Sequence, residues 1–122
     1  MSWLLVFVGG GLGSLARYGV VVLMPPVELA EGEIPWFTLV GNILACIVLG
    51  AGLGLLGKDQ LTKPMQLLLL TGFCGGFSTF STFAAELLLL GEEGHLGPAL
   101  TYFVLSVLGG VAALWAVLSL LR

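Results

Sequence analysis

Four apolar stretches, each close to the length of a bilayer crossing, make up nearly all of this 122-residue chain. They occupy residues 3–24, 36–57, 65–90 and 98–121, and only Arg17 interrupts the first. About 20 apolar residues in a helix cross about 30 Å of hydrocarbon, so each stretch reads as one transmembrane helix. A transmembrane barrel would show strands of about 10 residues with alternating polarity instead. The first stretch lacks a basic start and is too long for the core of a cleaved signal peptide. Short polar loops separate the stretches: one with Glu28, Glu31 and Glu33, one with Lys58, Asp59 and Lys63, and one with Glu92, Glu93 and His95.

Composition removes the alternatives. Charged residues are 9% of the chain, against about 25% in soluble domains. Four Lys+Arg and seven Asp+Glu cannot cover a small soluble domain, much of whose surface stays wet. A hydrophobic share of 58% excludes a disordered chain. No basic patch or stripe is present for nucleic acid. Cys46 and Cys74 lie in apolar runs without a CxxC pattern, so they read as small hydrophobes rather than a disulfide or metal site. The expected fold class is an all-α integral membrane protein, a single domain of four transmembrane helices. Lys58, Lys63 and Arg122 share one side and Arg17 stands alone on the other, a small bias that suggests both termini are cytoplasmic.

Glycine is the second signal. The chain has 19 glycines, roughly double the usual share of about 7%. Gly9 and Gly13, Gly50 and Gly54, Gly72 and Gly76, and Ser106 with Gly110 are small residues four apart, a spacing that lets helices approach closely in lipid. Four spans leave little room for an internal pathway, so self-association is expected, with the pathway at or beside an interface. Residues 11–16 fit GxGxxA, but no strand–helix alternation follows, and a dinucleotide site is rejected.

Polar groups at membrane depth are costly and therefore point to function. The first span has Arg17, the second Thr38 and Asn42, and the fourth Thr101, Tyr102 and Ser106. The third carries most of the information, running Gly72-Phe73-Cys74-Gly75-Gly76-Phe77-Ser78-Thr79-Phe80-Ser81-Thr82-Phe83 before Glu86. Three mid-span glycines, each costing about 1 kcal/mol against alanine in a helix, followed by four hydroxyls, read as a broken helix. The competing reading is an unbroken helix whose glycines serve packing. A break frees carbonyls, which suit a hard cation such as Na⁺. Phe80 and Phe83, three apart, share a face. They either add apolar bulk or turn partly positive ring edges towards an anion, with nearby hydroxyls and the Asn42 amide replacing its water. Thr79, Thr82 and Glu86 share a neighbouring face. Arg17 either snorkels to the interface or makes an entrance electropositive. Glu86 is protonated, paired with Arg17 or another donor, or turned towards a hydroxyl; the sequence leaves these open.

These motifs resemble the Fluc (CrcB) family of bacterial fluoride channels. Residues 9–18, Gly-Gly-Gly-Leu-Gly-Ser-Leu-Ala-Arg-Tyr, are similar to the family's glycine-rich opening and Arg-Tyr. Thr38-Leu39-Val40-Gly41-Asn42 resembles its second-span motif, and residues 72–83 match its third-span signature nearly letter for letter. The resemblance implies a dimer of four-helix subunits inserted antiparallel, in dual topology, with the third helix broken near its middle. It implies two fluoride pores and one structural Na⁺ at the dimer interface, held by backbone carbonyls at positions matching Gly75 and Ser78. Asn42, Phe80, Phe83, Ser81, Thr82, Thr38, Tyr102 and Ser106 match the fluoride pore, and Arg17 matches the basic residue of its vestibule. Thr79 and Glu86 receive no defined role. Two positions depart from the family pattern: Phe37 stands where many members have Gly, and Gly110 replaces a hydroxyl found in some.

The implied function is passive export of fluoride from the cytoplasm through the inner membrane, relieving fluoride toxicity, by a homodimer in the lipid bilayer. The steep bias of basic residues keeps a heterodimer with a related subunit in view. The runner-up is a small multidrug-type proton-coupled exporter, but that mechanism needs a carboxylate in the first span, where the only charge is Arg17. No nucleophile–base constellation suggests an enzyme.

Overall fold

The computed structural model describes residues 1–122. Its elements are α1 (Ser2–Leu23), a 3₁₀ turn (Leu29–Glu31), α2 (Trp36–Gly57), α3 (63–77), α4 (Phe80–Glu92) and α5 (Leu96–Leu121). The third apolar span, Lys63–Glu92, is α3 and α4 together. Within α3, residues Gln66–Cys74 wind as a π-helix. No strand is present.

The helices pack as two pairs, α1 against α3 and α2 against α5, with α4 leaning on α5. Glycine makes the first pair possible. A Cβ on Gly9 would land on the Leu68 carbonyl, one on Gly13 on the Phe73 carbonyl, and one on Gly76 on the Gly10 carbonyl. At Gly72 it would sit 3.0 Å from the Gly9 Cα. The two backbones therefore touch directly, as small residues four apart allow in lipid. The α2–α5 contact is built the same way, since a Cβ on Gly50 would meet the Leu114 carbonyl at 3.0 Å.

This packing corrects the sequence reading of the third span. The helix breaks near its middle, but not at the glycines. Gly75 is helical, with φ −63° and ψ −36°. The break comes at Ser78 (φ −79°, ψ 154°) and Thr79 (φ −145°, ψ 115°). Gly72 and Gly76 are spent on contact with α1, and the hydroxyl pair that follows them opens the chain.

Only 19 of 122 residues are buried, so the bundle cannot hide its apolar side chains within itself. Trp3 is 91% exposed and Phe7 77%. Four helices long and apolar enough to cross a bilayer, with such a surface, make this a multi-pass membrane protein. The small internal core is Leu39, Phe83, Leu90 and Tyr102, where α2, α4 and α5 meet.

Gly13→Val and Gly76→Val should each prevent the α1–α3 contact, lowering the melting temperature or yielding aggregate on size exclusion in detergent. Gly11→Ala, where an added Cβ meets nothing within 4 Å, should leave the melt unchanged or raise it slightly. Equal behaviour of all three would remove close backbone approach as the reason for these glycines.

Candidate functional site

At the break, the chain must satisfy backbone groups that the helix no longer pairs. Asn42, on α2, does so from the side. Its Oδ1 accepts from the Thr79 N–H at 2.9 Å and its Nδ2 donates to the Thr79 carbonyl at 3.4 Å. One amide thus replaces both helical partners of a single residue. Thr79 in turn caps α4, its Oγ1 accepting from the Thr82 N–H at 3.2 Å, the arrangement that favours Ser, Thr, Asp or Asn before a helix. On the other side, Ser78 folds back, its hydroxyl donating to the Cys74 carbonyl at 2.9 Å. An unbroken α-helix would pair the Thr79 N–H with the Gly75 carbonyl; here that donor is spent on Asn42.

Two further groups lock the surroundings. Arg17 reaches from α1 to α3, its Nε donating to the Gly76 carbonyl at 3.1 Å. A cation at the end of α3 also complements the helix dipole. Glu86 is buried, and both its oxygens accept: Oε2 from the Thr38 hydroxyl at 3.1 Å and Oε1 from the Tyr102 hydroxyl at 2.9 Å. Tyr102 is wholly buried. Of the three choices the sequence left for Glu86, its partners here are hydroxyls; Arg17 is engaged elsewhere.

The break faces an open groove of about 270 Å³ between α2, α4 and α5, lined by Asn42, Ser78, Thr79, Phe80, Phe83 and Ser106. Phe80 stands out on this open face, 79% exposed, while Phe83 is 7% exposed. Their ring centroids are 6.2 Å apart. Phe83 also meets Tyr102 edge to face at 5.1 Å and stacks on Phe103. The Ser106 hydroxyl is buried and has no hydrogen-bond partner. A buried hydroxyl without a partner costs about 1–3 kcal/mol, and this one belongs to a residue that borders the groove. A second, narrower pocket of about 60 Å³ holds Arg17, Phe37, Thr38, Gly41, Thr79 and Thr82.

The sequence-derived residues therefore fall into three places. Asn42, Ser78, Phe80, Phe83 and Ser106 meet at the groove; Arg17, Thr38 and Thr82 meet at the narrow pocket; and Tyr102 sits beneath both, bonded to Glu86. Thr79 borders groove and pocket alike. Ser81 is exposed, its hydroxyl 3.5 Å from Thr79 Oγ1. Gly75 and Ser78 lie on the open face beside Cys46 and Cys74. The role of Thr79 was readable in principle, because Thr three residues before Thr82 has N-cap spacing. Its pairing with Asn42, 37 residues away, has no local signal. Taken together, amide and hydroxyl donors next to ring edges, with a guanidinium nearby, can bind a small anion that has lost its water.

Comparison with known proteins agrees in kind. Residues 4–118 match the family model described as CrcB-like protein, Camphor Resistance (CrcB). The chain is 40% identical over 110 residues to the fluoride-specific ion channel FluC of Enterobacter sp. (strain 638), covering 89% of this chain and 84% of that one. It is 41% identical, with the same coverage, to the proteins of that name from Salmonella arizonae and Salmonella newport.

Removing either hydroxyl donor to Glu86 strands a carboxylate oxygen. Thr38→Val and Tyr102→Phe should each destabilise the protein by about 1–3 kcal/mol in denaturant unfolding in detergent, with a non-zero coupling energy in the double variant. Strict additivity of the two would show that they do not meet at Glu86.

Proposed function

The chain belongs to the CrcB-like family, and from that premise we propose that it is a passive, fluoride-selective channel of the bacterial inner membrane. Fluoride enters from an acidic medium as the neutral weak acid and is trapped as the anion in the less acidic cytoplasm, so a selective leak for the anion lowers the internal concentration. The observation that carries this reading is the groove at the helix break, which Asn42 and Ser106 line together with Phe80 and Phe83. A dehydrated fluoride is small and accepts strongly, which suits such donors. Chloride, being larger and a weaker acceptor, returns less of its desolvation cost there.

Each residue then has a task. Arg17 draws anions to the entrance. Thr38, Ser81, Thr82, Tyr102 and Ser106 provide the hydroxyl track, and Phe80 and Phe83 provide ring edges. Asn42 does two jobs: it clamps Thr79 and offers its second amide hydrogen to the path.

The channel is an antiparallel homodimer in this proposal, because a subunit this thin leaves Phe80, Ser81 and Thr82 exposed. A structural Na⁺ fits the exposed positions just before them. The Gly75 carbonyl has lost its α-helical donor to Asn42, Gly75 and Ser78 are both exposed, and a Cβ on Gly75 would meet nothing within 4 Å. The Gly75 and Ser78 carbonyls would hold the ion, which when bound supplies a fixed positive charge at the subunit interface. The donor set suits Na⁺, a hard cation that prefers oxygen ligands.

Purified protein in K⁺-loaded liposomes should release fluoride when valinomycin is added, and release chloride far more slowly. Phe80→Ile and Asn42→Asp should abolish this flux while the protein still assembles. Proton-coupled drug exchange without fluoride release would replace the channel by an exporter. Wild-type flux in both variants would take these two residues out of the path.

A further inference from the structure

The largest cavity of the molecule lies away from the helix break, at the end where α2 and α5 terminate. It is an open groove of about 560 Å³ lined by Leu53, Gly54, Gly57, Lys58, Leu118 and Arg122. We propose that this groove is a binding site for an anionic phospholipid, with the headgroup phosphate between Lys58 and Arg122 and an acyl chain along the glycine-lined cleft beneath.

The two helices run in the same direction and are closest at Gly50 and Gly54. A Cβ on Gly54 would lie 2.7 Å from the Leu121 Cβ, whereas one on Gly57 would meet nothing within 4 Å. Gly54 thus meets Leu121, the last residue of α5, while Gly57, about one turn further along α2, has no neighbour, and the cleft is the space beside it. Its lining changes character along the axis. Leu53 and Leu118 precede Lys58 and Arg122 by five and four residues, which at about 1.5 Å per residue sets them about 6–8 Å deeper. Hydrocarbon below and positive charge above is the polarity of a phospholipid at the bilayer surface, where basic clefts between transmembrane helices take anionic headgroups. The lining contains two cationic side chains and no acidic one; Asp59, although next to Lys58 in the chain, is not part of it.

Two helix C-termini end here, and their carbonyls carry together about one negative charge. Cations at these positions suit the helix dipoles by themselves. Two full positive charges exceed that need, and about one remains for a phosphate. The proposal is independent of what the pore conducts.

The test is lipid binding to the intact protein by native mass spectrometry, from micelles doped with equal amounts of phosphatidylglycerol and phosphatidylcholine. Phosphatidylglycerol should be retained in preference, and Lys58→Gln with Arg122→Gln should lower its binding about 30-fold, at roughly fivefold per cation. Lys58→Arg should keep the preference. Gly57→Leu, which adds bulk at a position where a Cβ would meet nothing within 4 Å, should lower retention of both lipids with Lys58 and Arg122 in place. Equal retention of the two lipids by the wild type, or an undiminished preference in the double variant, would overturn the proposal. So would inorganic phosphate competing as well as the lipid does, since the site would then hold a free anion. Each variant is checked for an unchanged melting temperature, and Gly57→Leu serves as the independent arm if the double variant unfolds.

Discussion

The rest of the structure hangs on one side-chain amide. Asn42 takes both backbone groups of Thr79, and by doing so makes a helix break tolerable at a depth where no water can serve it. Without this pairing, the unsatisfied N–H and C=O of Thr79 would each cost several kcal/mol in hydrocarbon, and an unbroken helix would win. The break then redirects the chain so that α4 begins at Phe80, which turns Phe80 outward and Phe83 inward. Both the groove and the Gly75 carbonyl's lost partner follow from that single substitution of amide for backbone.

Three other contacts keep the break in one conformation. Arg17 holds the Gly76 carbonyl from α1, Ser78 holds the Cys74 carbonyl, and the Thr79 hydroxyl caps α4. The first and third take backbone groups that the broken helix leaves over, and the second gives the Ser78 hydroxyl an acceptor in a carbonyl that also receives the Ser78 N–H. Beneath them, Glu86 ties α2 and α5 to α4 through Thr38 and Tyr102, so the floor under Phe83 is fixed by hydrogen bonds as well as packing. Against this background the Ser106 hydroxyl stands apart. It is the one buried side-chain polar atom with no partner, on a residue that borders the groove.

Much of the fold was legible in the sequence because lipid imposes a simple rule: about 20 apolar residues per crossing. Glycine was harder to read. Gly72 and Gly76 read both as a packing pair and as part of a break, and the position of Gly9, Gly10 and Gly13 across from them decides for close packing. Glu86 was identified as an awkward charge without its partners, since Thr38 and Tyr102 lie 48 and 16 residues away in the chain. The residues that meet at the groove were all legible by type. What was not legible was that Asn42 spends two of its hydrogen bonds on the backbone, because a pairing between α2 and the third span leaves no periodic trace.

The most direct measurement is solid-state NMR of the labelled protein in bilayers, reading the backbone shifts of Ser78 and Thr79 and the contact between the Thr79 nitrogen and the Asn42 side-chain carbonyl. Extended shifts at both residues with a through-space contact to Asn42 are the predicted result. Helical shifts at Ser78 and Thr79, with the Thr79 N–H bonded to the Gly75 carbonyl, would contradict the account at its base.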